Sequence, residues 1–182
     1  MNANQKTCAL QKLPLRLHHH AYTTDDHEAT RHFYEDILGI PLVAMDIEKE
    51  NLLGEWVELG LAYYELGDGS ALAFFNFADP KKQAEWRAKK QSLFVHLSLA
   101  VEKSTQQEIE RRLQAAHWQC FTINHAYCFS LYATDPNGLL LEFTVDAPNA
   151  EKIQSTMKRS AHEEMKRWIA GGRACNNQWR AA

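Results

Sequence analysis

The sequence is poor in cysteine, and no two cysteines stand at metal-binding or redox spacing. Its four cysteines are Cys8, Cys120, Cys128 and Cys175, none of them in a CxxC pair. A zinc knuckle or a disulfide framework needs such clustering, so the sequence suggests neither. We therefore expect a reducing, cytoplasmic setting.

The chain also lacks a basic excess, a long apolar run and a signal peptide. Its 20 Lys and Arg stand against 23 Asp and Glu, a formal net charge of −3. No strongly basic face is left to neutralise phosphates, so nucleic acid is not expected as a partner. No apolar run reaches the roughly 18 residues of a membrane span, and the N-terminus lacks an apolar signal region, so no membrane partner is expected.

What the sequence does contain is an ordinary globular composition and one pattern used twice. Hydrophobic residues make up 45% of the 182 residues, enough for one domain or two short repeats. The stretches LRLHHHAYTTDDHEATRHFYEDILGIPLV and LFVHLSLAVEKSTQQEIERRLQAAHW each pass from a strand-like segment containing histidine to an amphipathic helix. The first helix has a capping pattern at Asp25 and Glu28, and the second has one at Thr105 and Glu108. Gly39 suits the end of the first helix.

Turn residues separate further strands after each helix. AYYELGDGSALAFFNF predicts a hairpin in the first half, and YCFSLYATDPNGLLLEFTV predicts one in the second. Each half therefore has a strand, a helix and about three strands, and the charged connector DPKKQAEWRAKKQS between them has a helical pattern. The expected fold is α+β, with module one over about 13–78 and module two over about 93–147, inside a domain of residues 1–147.

The end of the chain predicts an added amphipathic helix within an extension of residues 148–182. Gly171 and Gly172 would stop this helix, which would pack on the domain or on a partner, and we expect a homodimer. The apolar residues at helical spacing are Ile153, Met157, Ala161, Met165 and Trp168.

Two histidines and one glutamate form a candidate metal site. Alternation along LFVHLSLAV places His96 opposite the apolar face that packs on the helix. Glu142 interrupts the apolar strand LLLEFTV, where an unpaired buried carboxylate would be costly unless a metal ion binds it. His19, within the run of histidines at 18–20, matches His96 by repeat position.

These three residues make the two-His-one-carboxylate set that holds Fe(II) or Mn(II). Aligning the turns of the two halves places Ala73 opposite Glu142, which leaves the site with three protein ligands instead of four. Each residue also has a simpler interpretation: a histidine on a strand is commonly a core or surface residue, and Glu142 could pair with an arginine. The combination at equivalent positions favours the metal site.

From about Leu13 to Val145 the sequence resembles the vicinal oxygen chelate superfamily, which includes glyoxalase I, fosfomycin-resistance proteins and type I extradiol dioxygenases. FYEDILGIPL and DPNGLLLEF are typical of the superfamily as a whole. A more specific similarity, to the extradiol dioxygenase signature, begins at Ile123-Asn124-His125, continues through LYATDPNG and ends at Glu142. The one-domain extradiol enzymes are the nearest in length.

The resemblance implies paired βαβββ modules in a half-open barrel around a metal site. It implies that His19, His96 and Glu142 bind Fe(II), with Mn(II) as the other option. His125 would hydrogen-bond the substrate oxygen, and Tyr132 would contact a bound catecholate. The substrates would be a small aromatic diol and O2.

The sequence departs from the resemblance at Asn76, which stands where the family usually has another acid/base histidine. An amide can orient a hydroxyl but cannot shuttle a proton. We count Asn76 with His125 and Tyr132 as a candidate catalytic residue, and expect slower turnover or an unusual substrate.

Three alternatives remain. A glyoxalase-like isomerase would need a fourth ligand, which Ala73 does not supply. A fosfomycin-resistance type of thiol transferase uses the same three ligands, although the His125 and Tyr132 signature favours the dioxygenase. A non-catalytic binding module, as in bleomycin resistance, usually lacks the three ligands.

Overall fold

The computed structural model describes residues 16–52, 54–87, 94–172, 174 and 176. The predictions that rest on residues 1–15, 88–93, Arg173, Cys175 and 177–182 lie outside the described residues. Along the described chain the elements are β1 (His19–Thr23), α1 (His27–Arg31), a π-helical continuation of α1 (His32–Ile37), β2 (Leu42–Leu52), β3 (Glu55–Glu65), β4 (Ala71–Phe77), α2 (Pro80–Trp86), β5 (His96–Ala100), α3 (Lys103–Ala115), β6 (Cys120–Asn124), β7 (Cys128–Thr134), β8 (Leu140–Asp146) and α4 (Ala150–Ile169).

The strands form two four-stranded sheets of the same topology. Their orders are β1-β4-β3-β2 and β5-β8-β7-β6, with β1–β4 and β5–β8 parallel and the other pairs antiparallel. Each half is thus a βαβββ module. The predicted α+β fold of two such modules with a C-terminal helix is confirmed.

The strand registers confirm the equivalence of the repeats at the predicted metal-site positions. His19 pairs with Ala71 in the first sheet, and His96 pairs with Leu140 in the second. Each of these partners precedes by two residues the position of interest on its strand, Ala73 or Glu142. The two histidines therefore occupy the same place in their modules.

The chain divides into two compact units that do not coincide with the sequence repeats. One contains the described residues up to His27 together with Ile40–Arg87, and the other contains Glu28–Gly39 and the described residues from Phe94 onward. Most of the first repeat's helix therefore belongs to the second unit.

Contacts within the second unit hold this helix in place. The Phe33 ring packs 4.9 Å from the Trp118 ring, centroid to centroid. The buried Tyr34 hydroxyl donates to Asp135 Oδ2 at 3.0 Å. Gly39 ends the segment with a φ of +78°, which confirms its predicted role as the stop.

One buried apolar cluster of the first unit, made of Val57, Leu59, Leu61 and Ala73, lies on one face of its sheet. Trp86 of α2 packs edge-on against Phe77 at a centroid distance of 4.9 Å, which brings the connector helix onto this face. Asp79 caps α2 by accepting a hydrogen bond from the Lys81 amide at 2.7 Å. The helical prediction for the connector is confirmed over Pro80–Trp86.

In the second unit α3 packs on the sheet through the predicted apolar residues Ile109 and Leu113. Gln106 is also buried, and its amide nitrogen donates to Phe129 O at 2.9 Å and to Phe143 O at 2.6 Å. These bonds tie α3 to β7 and β8 through backbone carbonyls.

Both predicted cap assignments are wrong. Helix α3 begins at Lys103 after Glu102, so Thr105 lies inside the helix, and Glu108 is bound by Arg112. Helix α1 begins at His27, and the carboxylate of Asp25 instead accepts a hydrogen bond from Gln83 at 2.8 Å. In both cases tertiary or helix-surface contacts engage side chains that the local pattern assigned to capping.

Helix α4 confirms the predicted C-terminal helix and ends before Gly171, which has a φ of +90°. Ile153 is fully buried, whereas Met157 is 49% exposed and Ala161 is exposed. The side chains of Met165 and Trp168 lie outside the described residues. Among the described residues, no helix has the length and apolar character that crossing a membrane requires.

Candidate active site

One face of the second sheet carries a row of functional side chains across its strands. Ser98 on β5 pairs with Glu142 on β8, Glu142 pairs with Tyr132 on β7, and Tyr132 pairs with Phe121 on β6. His96 lies two residues before Ser98 and so shares this face. The opposite face carries Leu141, Phe143 and the other apolar residues that pack on α3.

Four of the predicted site residues form a continuous chain of contacts on this face. His96 Nε2 lies 3.0 Å from Glu142 Oε2. The Tyr132 hydroxyl donates to Glu142 Oε1 at 2.7 Å, and His125 Nε2 lies 3.0 Å from the same hydroxyl. Residues up to 46 positions apart in the sequence (96 to 142) are thus brought together around one carboxylate.

Burial and hydrogen bonding together set the protonation of the two central groups. Glu142 and Tyr132 are each only 6% exposed. Burial, reinforced by the neighbouring Glu142 carboxylate, raises the pKa of Tyr132 to about 12. Burial alone would also raise the pKa of Glu142, but the hydroxyls of Ser130, Tyr132 and Ser98 and the adjacent His96 outweigh it and lower that pKa. The site therefore holds a charged carboxylate beside a neutral phenol at neutral pH.

Two aromatic residues that the sequence analysis did not single out support this arrangement. Phe121 stacks on Tyr132 with a centroid distance of 4.9 Å and an interplanar angle of 11°. Tyr127 stacks on His125 at 5.9 Å and 29°. Phe121 could have been found by extending the β6–β7 hairpin pattern to its register, whereas Tyr127 lies in the turn between these strands.

His19 lies in the first unit and is exposed at the start of β1. Its Nδ1 is 2.8 Å from Nδ1 of His18, and its ring meets that of Tyr63 edge-on at 6.3 Å. Ala73, on the same face of that sheet, is fully buried and offers no donor atom. Ala73, the first-module counterpart of Glu142, therefore supplies no metal ligand, as its side chain predicts.

Asn76 lies in the first unit, on the face of the sheet opposite Ala73. Its side-chain Nδ2 donates to the carbonyl of Thr24 at 3.0 Å. Together with His27 and Gly60 it borders a cavity of about 460 Å³ on that face. This bond ties the amide to the chain's own backbone, and a catalytic role for Asn76 stays a prediction.

The donor chemistry of the second unit suits a divalent ion. His96 Nε2 and Glu142 Oε2 lie 3.0 Å apart on one face of the sheet, so both donor atoms could reach one ion. Imidazole nitrogen and carboxylate oxygen are the donor types of the two-His-one-carboxylate set. Across the described ranges, no three His, Cys, Asp or Glu side chains are grouped to hold a metal ion, and the set with His19 stays a prediction.

Comparison with known proteins places the fold in one family. Residues 16–143 match the profile of the Glyoxalase/Bleomycin resistance protein/Dioxygenase superfamily. A glyoxylase/bleomycin resistance protein/dioxygenase domain from Frankia sp. EAN1pec has a TM-score of 0.57 at 17% identity, over 75% of this chain and 95% of that one. Lactoylglutathione lyase from Agrobacterium tumefaciens has a TM-score of 0.51 at 23% identity, over 74% and 96%.

A third similar structure holds a metal. A point mutant of the genomically encoded fosfomycin resistance protein FosX from Listeria monocytogenes, complexed with Mn(II) and 1S,2S-dihydroxypropylphosphonic acid, has a TM-score of 0.55 at 12% identity, over 76% of this chain and 98% of that one. At these identities the likeness is one of fold alone. No curated protein matches the chain.

Proposed function

The chain belongs to the glyoxalase/bleomycin resistance/dioxygenase superfamily, and we propose that within it the chain is a metal-dependent extradiol dioxygenase. Its substrates would be a catechol-like aromatic diol and O2. The observation that carries the proposal is the contact chain from His125 through Tyr132 to Glu142. A metal-binding glutamate alone fits several chemistries of the family, whereas a phenol and a second imidazole beside it suit a substrate whose hydroxyl protons must be moved.

In this proposal His96 and Glu142 hold the ion, and His19 stays the predicted third ligand. The ion would be Fe(II), with Mn(II) as the second option. A bound Fe(II) supplies the means to bring catechol and O2 together and to pass electron density between them. The negative charge on Glu142, which its low pKa maintains, favours a divalent cation at this position.

Tyr132 acts as a hydrogen-bond donor in this proposal because its high pKa keeps the phenol neutral at pH 7. His125 lies within hydrogen-bonding distance of the same hydroxyl, so one of its nitrogens can accept or return a proton near the substrate oxygen. Stacking on Tyr127 and Phe121 holds the two rings in place. Asn76 receives no step here, since its amide donates to Thr24 O.

The proposed reaction is balanced without a further reductant. One ring C–C bond next to the diol breaks, both atoms of O2 enter the product, and the catechol supplies all the electrons.

The second candidate is a fosfomycin-resistance type of thiol transferase, which would use the same three ligands. Buried Ala73 at the fourth-ligand position counts against a glyoxalase-like isomerase.

The test is anaerobic loading with Fe(II), followed by oxygen and a panel of substituted catechols. Oxygen uptake with a yellow ring-fission product is expected, and His125→Ala and Tyr132→Phe should each lower kcat by about 10²-fold or more. Assays with a glutathione hemithioacetal and with a thiol plus an epoxide run in parallel. Turnover there but not with catechols would refute the proposal. Full catechol turnover in both variants would remove the roles assigned to His125 and Tyr132.

A further inference from the structure

A second feature of the candidate active site is the cavity between the Glu142 face of the sheet and helix α4. Its volume is about 350 Å³, within the size range of small-molecule pockets. Ser98, Glu142 and Thr144 line its sheet side, and Ile153 and Met157 line its helix side. The C-terminal helix is therefore a wall of the cavity that contains the central carboxylate.

The two sides of the cavity differ in polarity. The hydroxyls on the sheet side bond one another, with Ser98 Oγ 2.8 Å from Thr144 Oγ1. On the helix side, Ile153 is fully buried while Met157 stays 49% exposed. Met157 thus presents an adaptable apolar surface that an occupant of the cavity could cover. A molecule with a polar end at Glu142 and an apolar end at Met157 matches both sides.

The charged side chains that line the cavity are carboxylates. Glu142 and Asp146 both line it, and no lysine or arginine is among the described residues that line it. Because the proposed metal ion offsets the charge of Glu142, an anionic substituent placed here would meet the uncompensated carboxylate of Asp146, which is unfavourable. Tyr127 also lines the cavity and stacks on His125, so the cavity adjoins the proposed proton-handling residues.

We propose that this cavity is the subsite for the ring substituent of the substrate, and that it selects neutral, apolar substituents over anionic ones. The inference rests on the proposed function for the identity of the diol end. Met157 and Asp146 are the specificity-determining residues: the first provides apolar contact, and the second repels a carboxylate. Alkylcatechols are then favoured, and dihydroxybenzoates are disfavoured.

The experiment measures binding instead of turnover. Dissociation constants of catechol, 4-ethylcatechol and 3,4-dihydroxybenzoate are determined by calorimetry on the Mn(II)-loaded protein without oxygen. Burial is worth about fourfold in affinity per methylene, so 4-ethylcatechol should bind up to about 15-fold more tightly than catechol. The dihydroxybenzoate should bind about two- to fivefold more weakly than catechol, because Asp146 repels its carboxylate.

Two variants and one control assign these effects to residues. Met157→Gln keeps the side-chain length and should remove most of the ethyl preference. Ile169→Gln, at a 74% exposed position near the end of the same helix, should retain it. Asp146→Asn, at an exposed position, should improve dihydroxybenzoate binding about two- to fivefold.

The inference is overturned by equal affinities for catechol and 4-ethylcatechol, by equal effects of Met157→Gln and Ile169→Gln, or by no measurable binding of any of the three probes. An ethyl preference that depends on Met157, in a protein that consumes no oxygen with any catechol, would support the subsite and refute the dioxygenase. The two failures are thus distinguishable.

Discussion

Replacing Tyr132 by phenylalanine removes the hydroxyl that lies between His125 and Glu142. In the native site this hydroxyl donates to Glu142 Oε1 at 2.7 Å and lies 3.0 Å from His125 Nε2. The ring itself would remain, still stacked on Phe121 at 4.9 Å. The substitution therefore tests the hydrogen bonds and leaves the packing of the sheet face intact.

The expected loss of stability follows from the charge and burial of the partner. A hydrogen bond to a charged group contributes about 1.5–3 kcal/mol, and Glu142 is only 6% exposed, so water cannot readily replace the lost donor. We expect the free energy of unfolding to fall by about 2 kcal/mol at pH 7. The low pKa of Glu142 should also rise towards its usual value, because one of the hydroxyls that lower it is gone.

The raised pKa of Tyr132 also predicts that the protein loses stability at alkaline pH. Since the pKa of Tyr132 is raised to about 12 in the folded protein and is about 10 in an unfolded chain, folding favours the protonated phenol. The protonated phenol therefore contributes fully to the free energy of unfolding below pH 10. About 2–3 kcal/mol of that free energy is lost as the pH rises through 12. The Tyr132→Phe variant should lack this part of the loss.

Urea unfolding at pH 7 and between pH 9 and 12, together with ultraviolet titration of tyrosinate, measures both effects. Tyr63→Phe, which removes a hydroxyl in the other sheet, is the matched control and should change stability less. A Tyr132→Phe variant that unfolds within about 0.5 kcal/mol of the native protein and keeps the same alkaline decline would refute the argument that this hydroxyl is bound to a buried carboxylate.

Three further predictions concern the fold that supports the site. Gln106→Leu leaves two backbone carbonyls without their 2.6 and 2.9 Å bonds, and urea unfolding should show a loss of about 2–3 kcal/mol; no change would mean that these bonds contribute nothing. Gly39→Ala, at a φ of +78°, should cost about 1–2 kcal/mol by the same measurement. Burial raises the pKa of Asp135 despite its hydrogen bonds, so stability should fall as the pH rises from its unfolded value near 3.9 through the folded pKa; Asp135→Asn should abolish that decline, and a variant that retains it would contradict the assignment.

The repeat pattern predicted the secondary structure and the strand register well because both depend on local periodicity. Alternation along the strands placed His96 and Glu142 on one face, and the turns at Gly69 and Gly138 aligned Ala73 with Glu142. These features need only the period of a strand and the chemistry of a turn. They were therefore readable from one sequence.

The sequence could not predict which surfaces these elements meet. The stripe of Phe33 and Ile37 shows that the first helix packs on something, but not that Phe33 meets Trp118 of the second unit. Asp25 was assigned as a cap because its type suits one, yet Gln83 and Arg87 bind it. Contacts between residues far apart in the chain override such local preferences.

The sequence also predicted single residues of the site, but not the contacts between them. The strand pattern identified Glu142, and a resemblance identified His125 and Tyr132. The structure adds that the three form one chain of contacts with His96. Tyr127 was missed because no strand pattern or motif marks a turn residue. Its importance depends on where the turn places its ring, which only the folded chain specifies.

The central claim is that the chain cleaves a catechol with O2, and isotope labelling tests it most directly. The Fe(II)-loaded protein is mixed with 4-ethylcatechol under ¹⁸O₂, and the ring-fission product is analysed by mass spectrometry alongside oxygen consumption. The account predicts one O2 consumed per catechol and both labelled atoms in the product before exchange with water. Binding of the catechol without oxygen uptake, or oxidation to a quinone that carries no label, would contradict it.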